Sequence, residues 1–169
     1  PISLINGKFS DKISVFDRGL SYGDGFFETM IWKKTNNQDV FFVEFWRRHL
    51  KRLSNGCKML AINLPPEIIL EKYKDKIIKR AIKLGYHSGV IKIIVTRGSG
   101  GRGYKYEENM IPTIILIISA MPIYSEKNLL KGVNVKFCKT KMSNNINIAG
   151  FKHLNRLDSV LARSEWTEK

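Results

Sequence analysis

Apolar residues near the start of the chain come in short runs, separated by glycine and polar turns. The runs are "ISLING" at 2–7, "FFETMIW" at 26–32 and "VFFV" at 40–43. Runs of this length predict strands, and the Asn-Gly pair predicts a hairpin whose second strand lies near residues 13–16. Three glycines at 17–25 predict a tight loop, and "KTNNQD" at 34–39 predicts a turn.

The period becomes helical from Glu44. Apolar side chains then recur three or four positions apart from Trp46 to Leu60, which predicts an amphipathic helix. Pro65 and Pro66 end this helix and begin a second one that stops at Gly85. The predicted apolar stripe of the second helix is Ile69, Tyr73, Ile77, Ala81 and Leu84.

Apolar runs return at 89–96 and 112–120, where we predict two strands, the second of them buried. The polar stretch 121–132 predicts a connection between domains, and the alternation in "VNVKFCKT" at 133–140 predicts another strand. Asn155 is a predicted N-cap for a last helix. The expected fold is therefore α+β: an N-terminal domain (1–120) of antiparallel sheet with two helices, then the beginning of a second α/β domain (133–169).

The last predicted helix has an apolar face with no predicted partner, formed by Leu154, Leu157, Val160 and Leu161. We therefore expect the chain to be the first part of a longer protein.

Composition narrows the class of protein. The chain has 169 residues, and its 29 Lys and Arg against 15 Asp and Glu give a formal charge of +14. A positive charge of this size favours the binding of an anionic ligand, which could be a nucleic acid, a small polyanionic substrate or a phosphate-bearing cofactor. The excess lies mostly in helical segments such as "WRRHLKRL", where lysine and arginine also form a solvated face. No aromatic RNA-binding strand or recognition helix is visible, so a nucleic-acid-binding module is a distant alternative.

No segment of the sequence predicts a membrane or secretory role. The longest apolar run, at 113–121, is too short to span a bilayer, and the N-terminus lacks the pattern of a signal peptide. Cys57 and Cys138 are far apart and show no metal or redox spacing, which predicts reduced thiols. We expect a cytoplasmic protein.

Three loops are candidates for chemistry: 17–25, 97–104 and 149–155. The loop "RGSGGRGY" lacks the spacing of a P-loop and precedes a strand where nucleotide motifs require a helix. Its Arg97 and Arg102 instead suit the binding of carboxylates through the guanidinium fork. The scattered histidines do not indicate a metal site.

Lys152 lies just before the helix predicted to begin at Asn155. The positive end of a helix dipole disfavours a charged amine, and an uncharged amine is what covalent chemistry with carbonyls requires. A lysine in this position is also compatible with an ordinary solvated residue. Position alone leaves both interpretations open.

Four segments, taken together in order and spacing, resemble the class IV aminotransferase family, the fold-type IV pyridoxal-phosphate enzymes. They are "DRGLSYGDGFFET" at 17–29, "RRHLKRL" at 47–53, "TRGSGGRGY" at 96–104 and "GFKHLNRLDSVLAR" at 150–163. Within that family, the last two segments are most similar to the aminodeoxychorismate lyases. The resemblance covers nearly the whole chain.

The resemblance implies specific roles. Lys152 matches the lysine that attaches the cofactor, pyridoxal 5'-phosphate, and moves protons. Arg52 matches the arginine that binds the cofactor phosphate, and Thr29 falls where the lyases carry a hydroxyl. Arg102 matches an arginine that holds a substrate carboxylate, with Arg97 and Tyr104 as weaker neighbours in the substrate site.

The implied reaction converts 4-amino-4-deoxychorismate, a chorismate-derived dianion, into 4-aminobenzoate and pyruvate, a step of folate biosynthesis. The resemblance also implies a homodimer. The alternative on the same fold is an aminotransferase acting on D-amino or branched-chain amino acids. Family members continue for roughly a hundred residues, so we expect the remaining cofactor contacts to lie beyond residue 169 and the 169 residues alone to be inactive.

Overall fold

The computed structural model describes residues 1–36 and 40–166. Positions 37–39 of the predicted turn lie outside these residues. The strands are β1 (Ile2–Ile5), β2 (Lys8–Phe9), β3 (Gly25–Lys34), β4 (Phe41–Val43), β5 (Ser88–Thr96) and β6 (Thr113–Ser119). The helices are α1 (Arg18–Tyr22), α2 (Trp46–Met59), α3 (Glu67–Lys83), α4 (Glu126–Lys131) and α5 (Leu157–Ser164).

The strands form one sheet in the order β2-β1-β6-β5-β3-β4, and every paired neighbour is antiparallel. Successive side chains of a strand point to opposite faces, and on β3 those of Phe26, Glu28, Met30 and Trp32 are buried. Helix α2 packs against β3, and α3 packs against β1 and β6. One face of the sheet is thus covered by helices and carries the core.

By contacts, the chain divides into two compact units. The first comprises Pro1–Met121 together with Phe151–Leu154, and the second comprises Pro122–Gly150 and Asn155–Lys169. The residues around Lys152 thus belong to the unit that holds the sheet, whereas the division predicted from the sequence put them in the C-terminal part.

Side chains of the second unit accept hydrogen bonds from its backbone. The carboxylate of Glu165 accepts hydrogen bonds from the backbone N–H groups of Lys139 and Thr140 at 2.7 Å each. Ser125 caps α4 by accepting from the N–H of Lys127.

The two long helices and the α+β class are confirmed, because their apolar positions repeat with the helical period over many residues. In α3 the stripe is partly different: Leu70 and Ile78 are buried, whereas Leu84 is 52% exposed. The side chains of α2 and α3 form the core together with the inner face of the sheet.

Four local predictions are wrong. The hairpin partner of β1 is β2 and not residues 13–16, because the turn at Asn6 and Gly7 reverses the chain at once. Residues 18–22 form the short helix α1 inside the predicted loop, capped by Asp17. Residues 133–140 alternate in polarity but form no strand, and α5 begins at Leu157 with Arg156, and not Asn155, as its N-cap residue.

Candidate functional site

Lys152 lies in an extended segment that pairs with the N-terminal half of β3. The carbonyl of Lys152 accepts from the N–H of Phe27 at 2.8 Å, and the N–H of Leu154 donates to the carbonyl of Gly25 at 3.0 Å. Between them, His153 forms a bridge with Phe26. The lysine is thus fixed by backbone pairing rather than by a position at the start of a helix.

Gly25 permits this pairing. A Cβ atom built there would lie 2.3 Å from the carbonyl oxygen of Val95 and 2.9 Å from a methyl group of Leu154. At Gly25, β3 is approached closely by β5 on one side and by the segment around Lys152 on the other. Only glycine fits at this position. The glycine at 25 has a steric reason and not merely a turn-forming one.

The amine of Lys152 lies over the face of the sheet that the helices leave open. Its Nζ is 4.8 Å from the centroid of the Phe27 ring, and the Nζ of Lys92 is 4.7 Å from the same centroid. Thr29 is two residues after Phe27, is exposed, and pairs directly with Lys92. Two amines, an aromatic ring and a hydroxyl therefore share one patch of this face.

Lys92 was not predicted as a site residue. The signal in the sequence was a lysine inside the apolar run "VIKIIV", where an alternating strand would place it on the face opposite Ile91 and Ile93.

Arg52 is held by a buried carboxylate on the other face of β3. Glu28 is 1% exposed and accepts from Nε of Arg52 at 2.5 Å and from Nη2 at 2.6 Å. His49 Nδ1 lies 2.7 Å from the second carboxylate oxygen. The contacts leave the Nη1 group of Arg52 on the side away from Glu28, and 45% of the arginine side chain is exposed.

This arrangement sets the charge of the pair. Burial alone would raise the pKa of Glu28, but the hydrogen bonds from Arg52 and His49 outweigh it and hold the pKa below its ordinary value. The same carboxylate raises the pKa of Arg52. Glu28 was not predicted either, although a glutamate at a core-facing position of "FFETMIW" was a visible signal.

Arg97 is engaged in the interior of the fold. Its guanidinium donates to both carboxylate oxygens of Asp24, at 2.7 and 3.1 Å, and to the carbonyls of Leu60 and Ala61. The residue is 4% exposed and the Tyr106 ring covers it at 3.6 Å. These contacts favour a structural role over the predicted role in binding substrate.

Arg102 and Tyr104 lie on the outside of the glycine-rich loop. Arg102 is exposed, and Tyr104 is 88% exposed with its ring edge-to-face against Tyr22 at 5.7 Å. Arg102 is therefore accessible to an anion, as the predicted role requires, and the two residues after it, Gly103 and Tyr104, contact α1.

Among residues 1–36 and 40–166, no group of three or more His, Cys, Asp or Glu side chains could hold a metal ion. Within the same residues, no helix is long and apolar enough to cross a membrane.

The family of the chain follows from comparison with known proteins. The family model described as amino-transferase class IV matches residues 25–169. The chain belongs to the class IV aminotransferase family. The match includes β3 and Lys152, and thus both strands of the backbone pairing that fixes the lysine.

Individual relatives of this family are named for different activities. The chain is 30% identical to an aminodeoxychorismate lyase of Vibrio harveyi over 95% of its own length and 55% of the relative. It is 31% identical to a protein of Methanocaldococcus jannaschii, provisionally named a branched-chain-amino-acid aminotransferase, over 94% of the chain and 53% of the relative. The chain thus spans about half the length of the curated relatives it matches.

Solved structures agree on the fold. The crystal structure of 4-amino-4-deoxychorismate lyase from Pseudomonas aeruginosa matches with a TM-score of 0.82 and 38% identity, over 98% of this chain and 57% of that one. The branched-chain amino acid aminotransferase of Escherichia coli matches with a TM-score of 0.76 at 22% identity, over 97% of this chain and 56% of that one. The α+β fold is therefore that of the fold-type IV enzymes.

Proposed function

We propose that the protein is a pyridoxal-phosphate-dependent lyase that converts 4-amino-4-deoxychorismate into 4-aminobenzoate and pyruvate. The observation that carries the proposal is the 38% identity to a solved 4-amino-4-deoxychorismate lyase over 98% of the chain. Thr29, on the open face beside Lys152 and Lys92, supports it through the hydroxyl that the lyases carry at this position.

The chain's own residues suit the cofactor. The chain supplies an amine for covalent attachment, Lys152, and a guanidinium for the phosphate, Arg52, which contact opposite faces of β3 at Phe27 and Glu28 respectively. Arg52 would hold the phosphate through its Nη1 side while Glu28 fixes the other side of the fork. When bound, pyridoxal phosphate supplies an electron sink for the reaction.

The remaining residues have roles toward the substrate. Lys152 would accept the proton from C4 of the substrate, because an amine at this position can serve as a base once it is uncharged. Thr29 would orient the amine or relay the proton through its hydroxyl. Lys92, across from Thr29, and Arg102 are the cations suited to the two substrate carboxylates.

The test uses the full-length protein with added pyridoxal phosphate. We expect an absorption band near the visible edge that the Lys152→Ala variant lacks and the Lys92→Ala variant keeps, since both amines lie over the same ring but only one attaches the cofactor. We also expect pyruvate release from 4-amino-4-deoxychorismate without a keto acid. Retention of the band in Lys152→Ala would refute the assignment of the lysine.

An aminotransferase acting on branched-chain or D-amino acids is the second candidate, favoured by the 31% identity to the Methanocaldococcus jannaschii relative. The two functions differ in their need for an acceptor. Product formation that requires a keto acid, with no pyruvate released from 4-amino-4-deoxychorismate, would establish the aminotransferase.

We further propose that the protein acts as a homodimer, as the family resemblance implies. Exposed apolar side chains beside the glycine-rich loop support it, among them Val15 at 71%, Phe16 at 69% and Ile111 at 82% exposure. Light scattering of the full-length protein that gives the mass of one chain would refute this.

A further inference from the structure

Arg18 is a buried arginine in a motif to which the proposed function assigns no role. It is 3% exposed at the start of α1. Its three nitrogens are all engaged: Nε donates to Asp24 at 3.0 Å, Nη1 to the carbonyl of Gly103 at 2.9 Å and Nη2 to the carbonyl of Tyr104 at 3.2 Å. The guanidinium thus joins α1 to the two residues that follow Arg102.

A second contact holds the same point of the loop. The hydroxyl of Tyr22 accepts from the N–H of Gly103 at 2.9 Å, and the Tyr22 ring lies 4.6 Å from the Arg18 guanidinium. Both the donor and the acceptor of the Gly103 backbone are therefore bound by side chains of α1.

The first half of the loop is held by backbone contacts. The N–H of Arg18 donates to the carbonyl of Gly98 at 2.9 Å, and the N–H of Gly100 donates to the carbonyl of Phe16 at 3.2 Å. Gly98 has a φ of 96°, which glycine adopts without strain. Backbone groups of Phe16 and Arg18 thus hold the loop before Arg102, and the side chain of Arg18 holds it after Arg102.

We propose that Arg18 is a positioning residue whose side chain fixes the backbone that follows Arg102 and thereby places the Arg102 guanidinium for a substrate carboxylate. The inference rests on the role proposed above for Arg102. A charged donor to a carbonyl is stronger than a neutral one, and a buried arginine paired with a carboxylate is rigid. Arg102 itself is exposed and would otherwise be carried by a loop of glycines.

Arg97 provides the matched control. It is as buried as Arg18 and binds the same Asp24 carboxylate, but its other donors go to Leu60 and Ala61, and its contact with the loop after Arg102 is at the Tyr106 ring and not at Gly103 or Tyr104. Both variants lose an ion pair with Asp24, but only Arg18→Gln also loses the hydrogen bonds to Gly103 and Tyr104. A comparison of the two variants therefore isolates the effect of those hydrogen bonds.

The first measurement is amide hydrogen exchange on the full-length protein, which needs no activity. In Arg18→Gln we expect exchange of segment 101–104 to rise at least about tenfold relative to wild type, since each charged hydrogen bond to the loop is lost. Tyr22→Phe should raise exchange in the same segment by less and serves as the test if Arg18→Gln does not fold. Arg97→Gln should affect mainly residues 60–62 and the backbone near Tyr106, and Arg80→Gln on the exposed side of α3 should change neither segment.

The second measurement is a double-mutant cycle on KM for 4-amino-4-deoxychorismate. Arg18→Gln should raise KM about tenfold with kcat changed less than about twofold, and in an Arg102→Gln background it should raise KM less than about twofold further. Multiplicative effects of the two substitutions would overturn the proposal, because Arg18 would then act independently of Arg102.

Unchanged exchange at 101–104 in both Arg18→Gln and Tyr22→Phe would also overturn it. If wild type does not consume the substrate, the proposed lyase function fails. Raised exchange would then support Arg18 as the residue that orders the loop, and its link to the substrate carboxylate would be refuted.

Discussion

Glu28 and Arg52 form a bidentate ion pair that joins the centre of the sheet to helix α2. Both contacts are short, at 2.5 and 2.6 Å, and the carboxylate is buried while the arginine reaches solvent. The ion pair therefore fixes Arg52, the residue proposed to hold the cofactor phosphate, to β3. The same strand pairs with the segment that contains Lys152.

Acid should weaken the fold through Glu28. Its folded pKa lies below the ordinary value of 4.5, so the unfolded state binds the proton more readily. The stabilisation is therefore fully present above pH 4.5 and is lost as the pH falls through the lower, folded pKa. Urea unfolding between pH 7 and pH 3 should show a shallower loss of stability in Glu28→Gln than in wild type. Glu44→Gln, in a more solvent-exposed ion pair with Lys33, should keep the wild-type slope.

Removing Arg52 should destabilise the protein because it leaves the buried carboxylate of Glu28 with only His49. We expect Arg52→Ala to lower the free energy of unfolding by about 1 to 3 kcal/mol. Arg47→Ala, on an exposed position of the same helix, should change it by less than about 0.5 kcal/mol. Equal losses in the two variants, measured by urea titration at pH 7, would show that the ion pair contributes nothing.

Gly25→Ala should separate the lysine segment from β3. The new Cβ would lie 2.3 Å from the carbonyl oxygen of Val95, and relieving this clash requires a costly shift of the backbone. We expect a loss of about 3 kcal/mol or more, with faster exchange of the Phe27 amide that donates to Lys152. Gly101→Ala, where a Cβ meets no heavy atom within 4 Å, should leave both quantities near wild type. Normal Phe27 protection in Gly25→Ala would contradict the pairing.

The two cysteines should differ in reactivity. Burial raises the pKa of the Cys57 thiol to about 12, whereas Cys138 is exposed. At pH 8 a thiol reagent should modify one cysteine of the native protein quickly and the second only on unfolding in urea. Cys138→Ser should abolish the fast phase and Cys57→Ala should keep it, and a fast phase that survives in Cys138→Ser would contradict the burial of Cys57.

The sequence predicted the long regular elements because their periodicity extends over many residues, as in α2 and α3. It did not predict the secondary structure of short segments, because contacts with residues distant in sequence can override the local pattern there. "VNVKFCKT" alternates like a strand, yet residues 133–140 pair with no strand of the described chain. Residues 18–22 have loop-forming glycines around them, yet Asp17 begins a helix there.

In the candidate site, too, some residues were predicted from the sequence, whereas their partners are known only from the structure. Lys152 and Arg52 were found by resemblance, and their partners Phe27 and Glu28 follow only from the register of β3 with residues distant in sequence. Arg97 illustrates the converse: a guanidinium in a glycine-rich loop suits a carboxylate ligand, and the carboxylate it binds is that of Asp24 within the chain. No local pattern distinguishes these two possibilities.

The pairing of Lys152 with Phe27 also has a consequence for the order of folding. The chain leaves the first unit after Met121 and returns to it only at Phe151. Closing a loop of this length carries an entropic penalty of about 3 kcal/mol, so the sheet can form first and the lysine strand docks late. The N-terminal half of β3 would thus keep an open edge at Gly25 and Phe27 until the segment with the residue proposed to anchor the cofactor has docked.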